Sequence, residues 1–235
     1  MTLLSISSDS KTIKGEKLGY LTGIQYLAPS NSSGVKNTCK SASKGCRAAC
    51  LFTAGRAGVF KMINEARIRK TKMFVDNFKG YFSALVSDTK TLIKKSNKSN
   101  MIPCVRLNGT SDIAWETITE NGKNIMEMFS DIQFYDYCKD FSRMMDYLSG
   151  KLPTNYFLTF SRSEDNDEQV AIVLANGGNV AVVFDKELPS NYLGYPVVNG
   201  DISDLRFLDG KNVVVGLKSK GKARKDTTGF VVKSS

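Results

Sequence analysis

From Met101 onward, apolar runs of strand length alternate with segments of helical period. This alternation constrains the fold more than any other feature of the 235-residue chain. The runs "MIPCVRLNG", "IQFYDYC", "NYFLTFS", "NVAVVFD" and "NVVVGLK" read as strands, with "YPVVNGD" as a short extended piece before the last. Thr117–Phe129, Phe141–Leu148 and Asp167–Ala175 read as the helices between them. Strands separated by helices at this spacing form parallel βαβ units with right-handed crossovers. Several strands are apolar throughout, as expected where both faces are buried. Upstream, "LGYLTGIQYLA" reads as a first strand. Two helices follow, one from about Phe60 through Met62, Ala66, Met73 and Phe74, the other through Tyr81, Leu85, Leu92 and Ile93, with a break near Asn77. The second ends in the basic, polar run Lys94–Asn100. The expected fold is one α/β domain over residues 1–235, without repeats or an interdomain linker. Both a doubly wound open sheet and a β/α barrel satisfy the pattern. About six mainly parallel strands favour a partial, TIM-barrel-like barrel. In either, the site belongs at the C-terminal ends of the strands.

Composition narrows the chemistry. The chain has no histidine, which removes Ser-His-Asp and Cys-His nucleophile systems and His-ligated zinc. Acid–base work would fall to Asp, Glu, Lys, Tyr or Cys. The net charge of +10 favours an anionic partner, DNA or RNA among them, against the plainer reading of a basic surface. No apolar run is long enough to span a membrane, and the N-terminal residues carry no apolar signal core, so a cytoplasmic protein is expected.

Three of the five cysteines fall in one short segment, "NTCKSASKGCRAACLFTAGRAG". Cys39, Cys46 and Cys50 are separated by six residues and then three, on a glycine-punctuated loop (Gly34, Gly45, Gly55, Gly58) after the first strand. In a reducing compartment such a cluster points to metal or redox chemistry rather than to disulfides. Thiolate is the ligand of iron–sulfur clusters, and the small residues Ser41, Ala42, Ser43, Gly45, Ala48 and Ala49 let backbone wrap closely around one. Three ligands suit a 4Fe-4S or 3Fe-4S cluster with one corner open. Zinc competes, with Cys104, Cys138 or a carboxylate as its fourth ligand. So does a set of unrelated buried thiols. Cys104, inside a strand, reads as a core residue. Cys138, at a strand end, is a weaker candidate ligand.

Other strand ends are polar. "RLNGTSDIAWE" places Arg106, Asn108 and Asp112 near a tight turn at Gly109, with Trp115 as a lid or stacking surface beyond. Thr110, Ser111 and Asp112 are equally explained as helix caps. A buried Arg106 needs an anionic partner, and Asp136, on the next strand, is the candidate. Tyr135 and Tyr137 point away from Asp136, and Lys139 can meet an anion. With Lys218, the residues Arg106, Asn108, Asp112 and Asp136 form the expected cavity wall. Arg67 and Lys70 on the first long helix and Lys220, Lys222 and Arg224 near the C-terminus form the expected nucleic-acid surface, with a solvated loop as the alternative.

The segments "CKSASKGCRAACLFTAGRAG", "ARIRKTKMF", "VRLNGTSDIAWE", "FYDYCKDFSRM", "NYFLTFSRSEDN" and "GLKSKGKARKDTTGFVV" together resemble the phage gene product 88-like family, from about Tyr20 to Val232. In that family's pattern the position of Cys138 is commonly threonine, which argues against a ligand there. More loosely, the chain is similar to the radical S-adenosylmethionine superfamily, which carries three cysteines after the first strand of a partial barrel. That likeness implies a 4Fe-4S cluster on Cys39, Cys46 and Cys50. The superfamily spacing of three then two residues is replaced here, and "RLNGTSD" stands where a glycine-rich strand would hold the cofactor's amino group. The likeness therefore implies barrel and cluster more strongly than S-adenosylmethionine. Whether the chain is an enzyme using the open iron, a nucleic-acid-binding iron–sulfur protein, or a zinc-stapled domain is left open by the sequence, as are substrate and oligomeric state.

Overall fold

The computed structural model describes residues 1–7, 10–50 and 58–233, with backbone alone for Ser10 and Lys11; residues 51–57 of the cysteine motif, Gly55 among them, lie outside the described residues. The chain is α/β, as its alternation dictates. Seven parallel strands form the body of one sheet: β2 (Tyr20–Gln25), β3 (Ile102–Arg106), β6 (Gln133–Cys138), β7 (Tyr156–Ser161), β8 (Val180–Phe184), β11 (Val214–Lys218) and β10 (Tyr195–Asn199), in that spatial order. Two short antiparallel strands, β1 (Leu4–Ile6) and β9 (Asn191–Tyr192), flank it. The expected barrel of about six strands is thus corrected to a nine-stranded, mostly parallel open sheet among the described residues.

The winding explains both faces. From β2 to β8 each parallel strand is laid beside the last in one direction, so right-handed crossovers put their helices on one face. That layer holds α3 (Lys61–Asp76), α4 (Phe78–Lys98), α6 (Phe141–Leu148) and α7 (Asp167–Ala175). Phe74, Tyr81, Leu85, Met144, Val170 and Val173 from it pack on Val105, Phe134, Leu158, Phe160 and Val182. Asn77 breaks α3 from α4 and caps the latter, its side chain accepting the Gly80 N–H at 3.0 Å. The step from β10 back to β11 runs the other way, so its connection crosses the opposite face. Leu205 and Phe207 from this connection pack there against Tyr20, Cys104, Tyr135 and Phe157.

The helix expected over Thr117–Phe129 is instead a 3-10 turn (Trp115–Thr117), a hairpin of β4 (Thr119–Glu120) and β5 (Lys123–Asn124), and one helical turn, α5 (Ile125–Met128). Asn121 and Gly122 take φ of 53° and 78°, the left-handed pair that a two-residue hairpin requires. Trp115 is no lid: it is fully buried in the helix layer, its ring 5.4 Å from Phe74 and 6.3 Å from Tyr81. No described helix is long and apolar enough to cross a membrane.

Candidate functional site

Above the C-terminal ends of the parallel strands lies a cavity of about 440 Å³. The segment after β2 brings Cys39, Cys46 and Cys50 to its wall, beside Arg106–Asp112, Tyr137–Lys139, Ser161 and Arg162, and Leu217 and Lys218. The segment is held by specific contacts. Ser43 caps α2 (Lys44–Ala48), accepting the Cys46 N–H at 3.0 Å and donating to Glu164 Oε2 at 2.7 Å. Glu164 Oε1 accepts the Gly45 N–H at 2.6 Å. Burial raises the Glu164 pKa, but the Gly45 and Ser43 donors outweigh it and hold the carboxyl below its ordinary range. A Cβ on Gly45 would lie 2.2 Å from Thr228 Oγ1 and 2.7 Å from Glu164 Oε2, so glycine is required here for close approach. Ala49 packs on Ala223 and Val231 of the C-terminal segment.

All five cysteines are free thiols. Cys39, Cys46 and Cys50 are half-buried and near enough for their charges to oppose one another. Burial pushes the Cys46 thiol up to about 11, with the Lys139 ammonium pulling the other way, and burial also raises Cys39. Thiols in this state become thiolates when a bound cation compensates them. Among the described residues, no three Cys, Asp or Glu side chains gather as ligands of a single metal ion. The other two cysteines belong to the cores. Cys104 is fully buried, 3.2 Å from Thr22 Oγ1. Cys138 packs into the helix-side core, its thiol 3.7 Å from the Asp140 carbonyl.

Arg106 finds its carboxylate, but in Asp204 at 2.8 Å rather than Asp136. The register explains this. Val105 lies beside Phe134, so Arg106 shares the face of Tyr135 and Tyr137 while Asp136 points into the helix layer. Asp136 is therefore absent from the cavity wall. It is fully buried and accepts from the Asn108 N–H (2.7 Å), Asn108 Nδ2 (3.1 Å) and the Tyr156 hydroxyl (2.8 Å). Burial pushes its pKa up to about 7, with the Arg106 charge and these donors acting downward.

Behind the wall, Arg143 ties this network together. Its guanidinium donates to Glu116 Oε1 (2.6 Å) and Oε2 (3.0 Å), to Asp112 Oδ1 (3.0 Å) and to Tyr156 Oη (2.5 Å). Asp112 caps no helix: its other oxygen accepts the Lys139 N–H at 2.8 Å, and its own N–H binds the Thr38 carbonyl at 2.8 Å, next to Cys39. Asn108 Oδ1 accepts from Ser111 Oγ and the Ile113 N–H, fixing the turn. Gly109 lies so close to β2 that a Cβ would stand 2.7 Å from the Gln25 carbonyl oxygen.

The expected basic surface is divided. Arg67 is buried against the Tyr26 ring at 5.0 Å and lines the cavity. Lys70 turns to the N-terminal edge and donates to the Leu3 carbonyl at 2.9 Å. Lys220 lines the cavity rim and pairs with Asp201 at 2.6 Å. Lys222 and Arg224 are exposed on the 3-10 segment Gly221–Lys225, and Lys218 is exposed at the end of β11. Asp201, Asp204 and Glu164 escaped the sequence reading. The first two sit in an irregular connection, and Glu164 looked like part of an exposed turn.

No curated protein and no solved structure is significantly similar to the chain, and nothing in these comparisons supports the expected likeness to the radical S-adenosylmethionine superfamily. Residues 2–234 match the family described as gene product 88, and the chain belongs to this family of phage gene products.

Proposed function

We propose that the chain is an iron–sulfur protein of the host cytoplasm in which Cys39, Cys46 and Cys50 hold one 4Fe-4S or 3Fe-4S cluster at the cavity wall. One observation carries the reading: three half-buried thiols from a single tethered segment face one cavity at the strand ends, in a chain without histidine. A structural zinc takes four donors on one ion, at about 2.0–2.3 Å. A cluster places each thiolate on a different iron, so its ligands need not meet at a point. The three thiols are therefore read as ligands of separate irons rather than of one zinc ion. Such a cluster supplies electron transfer or an open iron for ligand binding. The chain's own residues set the surroundings: Glu164 and Ser43 hold the ligand-bearing turn, Asp112 ties Cys39's neighbour to the wall, and Lys139 places positive charge beside Cys46. S-adenosylmethionine forms no part of the proposal. In the test, Cys39→Ala, Cys46→Ala and Cys50→Ala proteins, purified anaerobically, lose iron and acid-labile sulfide, whereas Cys104→Ala and Cys138→Ala retain them. Equal iron in all five variants would overturn the assignment.

A second reading, that the protein binds DNA or RNA, is supported by the exposed basic edge at Lys218, Lys222, Arg224 and Lys225 beside the cavity. Charge reversal at Lys222 and Arg224 should then weaken binding and flatten its salt dependence. Binding indifferent to salt would sink it.

A further inference from the structure

We infer that the cavity beside the thiols is a binding site for a small organic anion, a carboxylate or phosphate on an apolar or aromatic body. The inference does not rest on the cluster. Its first support is charge: six basic residues and three acidic ones line the cavity. Two of these cations lie over aromatic rings. Arg106 lies 4.8 Å from the centre of the Tyr137 ring and Lys139 5.3 Å from that of Phe230. A ring face positions a cation without consuming its N–H donors. Among the described residues Lys139 Nζ donates at 3.3 Å to the Arg162 carbonyl and at 3.5 Å to that of Ser161.

The second support is independent. Among the described residues, neither Arg106 Nε nor Tyr137 Oη finds a hydrogen-bond partner, although both atoms are buried. Asp204 engages the Nη1 end of the same guanidinium. Buried donors in native proteins are nearly always satisfied, and an orphan pair calls for an acceptor. Arg106 and Tyr137 both line the cavity, the guanidinium over the Tyr137 ring, and a small side-chain shift on binding would bring the two donors to the ligand's oxyanion. The third support is the floor. Ile24, Ala181, Val183 and Leu217 present an apolar surface, and the volume is that of a small organic ligand rather than of a bare ion.

The test is calorimetric titration of the wild-type protein and of Cys46→Ala with adenosine 5′-monophosphate, benzoate, and the neutral counterparts adenosine and benzyl alcohol. At least one anion should bind roughly tenfold or more tightly than its neutral counterpart, in both proteins. The two anions separate phosphate from carboxylate recognition. Lys139→Gln should weaken that anion by about ten- to hundredfold. Tyr137→Phe should weaken it severalfold while leaving the thermal midpoint of the free protein unchanged or raised, because the lost hydroxyl has no hydrogen-bond partner among the described residues. Arg106 itself is a poorer probe, since its removal also takes the ion-pair partner of Asp204. Equal binding of anion and neutral counterpart, or binding of none of the four, would overturn the inference. An anion that binds wild type but not Cys46→Ala would assign the site to the cluster's open iron instead.

Discussion

Arg143→Met offers a demanding test of how the cavity wall is held. The Arg143 side chain is 6% exposed, and its carboxylate partners Glu116 and Asp112 are 4% and 12% exposed. The substitution keeps most of the apolar volume and removes the cation, leaving two buried carboxylates without their counter-charge, though Asp112 keeps the Lys139 N–H and Tyr156 keeps its bond to Asp136. Breaking a buried pair from one side costs about 3–5 kcal/mol, against about 0–1 kcal/mol for an exposed pair. In a domain of this size that lowers the melting temperature by roughly 6–20 °C. It is also a large share of a total stability of about 5–15 kcal/mol. Urea denaturation of wild type, Arg143→Met and the double variant Arg143→Met/Glu116→Met measures it. The double variant should recover part of the loss, because one stranded charge is gone. Anaerobic iron content should fall in the single variant, since Asp112 also fixes Thr38 beside Cys39. A loss below about 1 kcal/mol would refute the reasoning, showing that these carboxylates do not depend on Arg143.

Two further outcomes follow from the contacts around the cysteine segment. Gly45→Ala inserts a methyl group 2.2 Å from Thr228 Oγ1 and should cost about 1–3 kcal/mol with reduced iron retention, read by melting and metal analysis. Glu164 has its pKa depressed in the folded state, so its contribution is fully present above the unfolded value of about 4.3 and is lost as pH falls through the folded one. A Glu164→Gln protein should therefore show a flatter acid limb than wild type in a stability–pH profile, and an unchanged limb would remove Glu164 as the anchor.

The sequence exposed the regular parts of this fold because period and capping agreed there. Phe141–Leu148 and Asp167–Ala175 were legible to the residue, the first behind an Asp140 cap that accepts the Arg143 N–H. The Asn77 break was legible for the same reason. The Thr119–Asn124 hairpin was missed although "ENGK" carries its signal, because the flanking apolar residues imitate a helical period. The edge strands Leu4–Ile6 and Asn191–Tyr192 are too short to show a period. Alternation within β6 correctly opposed Asp136 to Tyr135 and Tyr137. It could not say which face Arg106 shared, since that depends on the register between strands. Hence Asp204, from a connection with no pattern, took the role expected of Asp136. The basic residues were legible as charges but not as a surface, because helix rotation and local carbonyls sent Arg67 and Lys70 to different places.

The most direct test of the central claim is metal and acid-labile sulfide analysis of the anaerobically purified wild-type protein, with an electron paramagnetic resonance spectrum before and after reduction. The account predicts iron and sulfide in equal amounts and a cluster signal that appears or disappears on reduction. Zinc without sulfide, or protein free of both metals after anaerobic reconstitution with iron and sulfide, would contradict it.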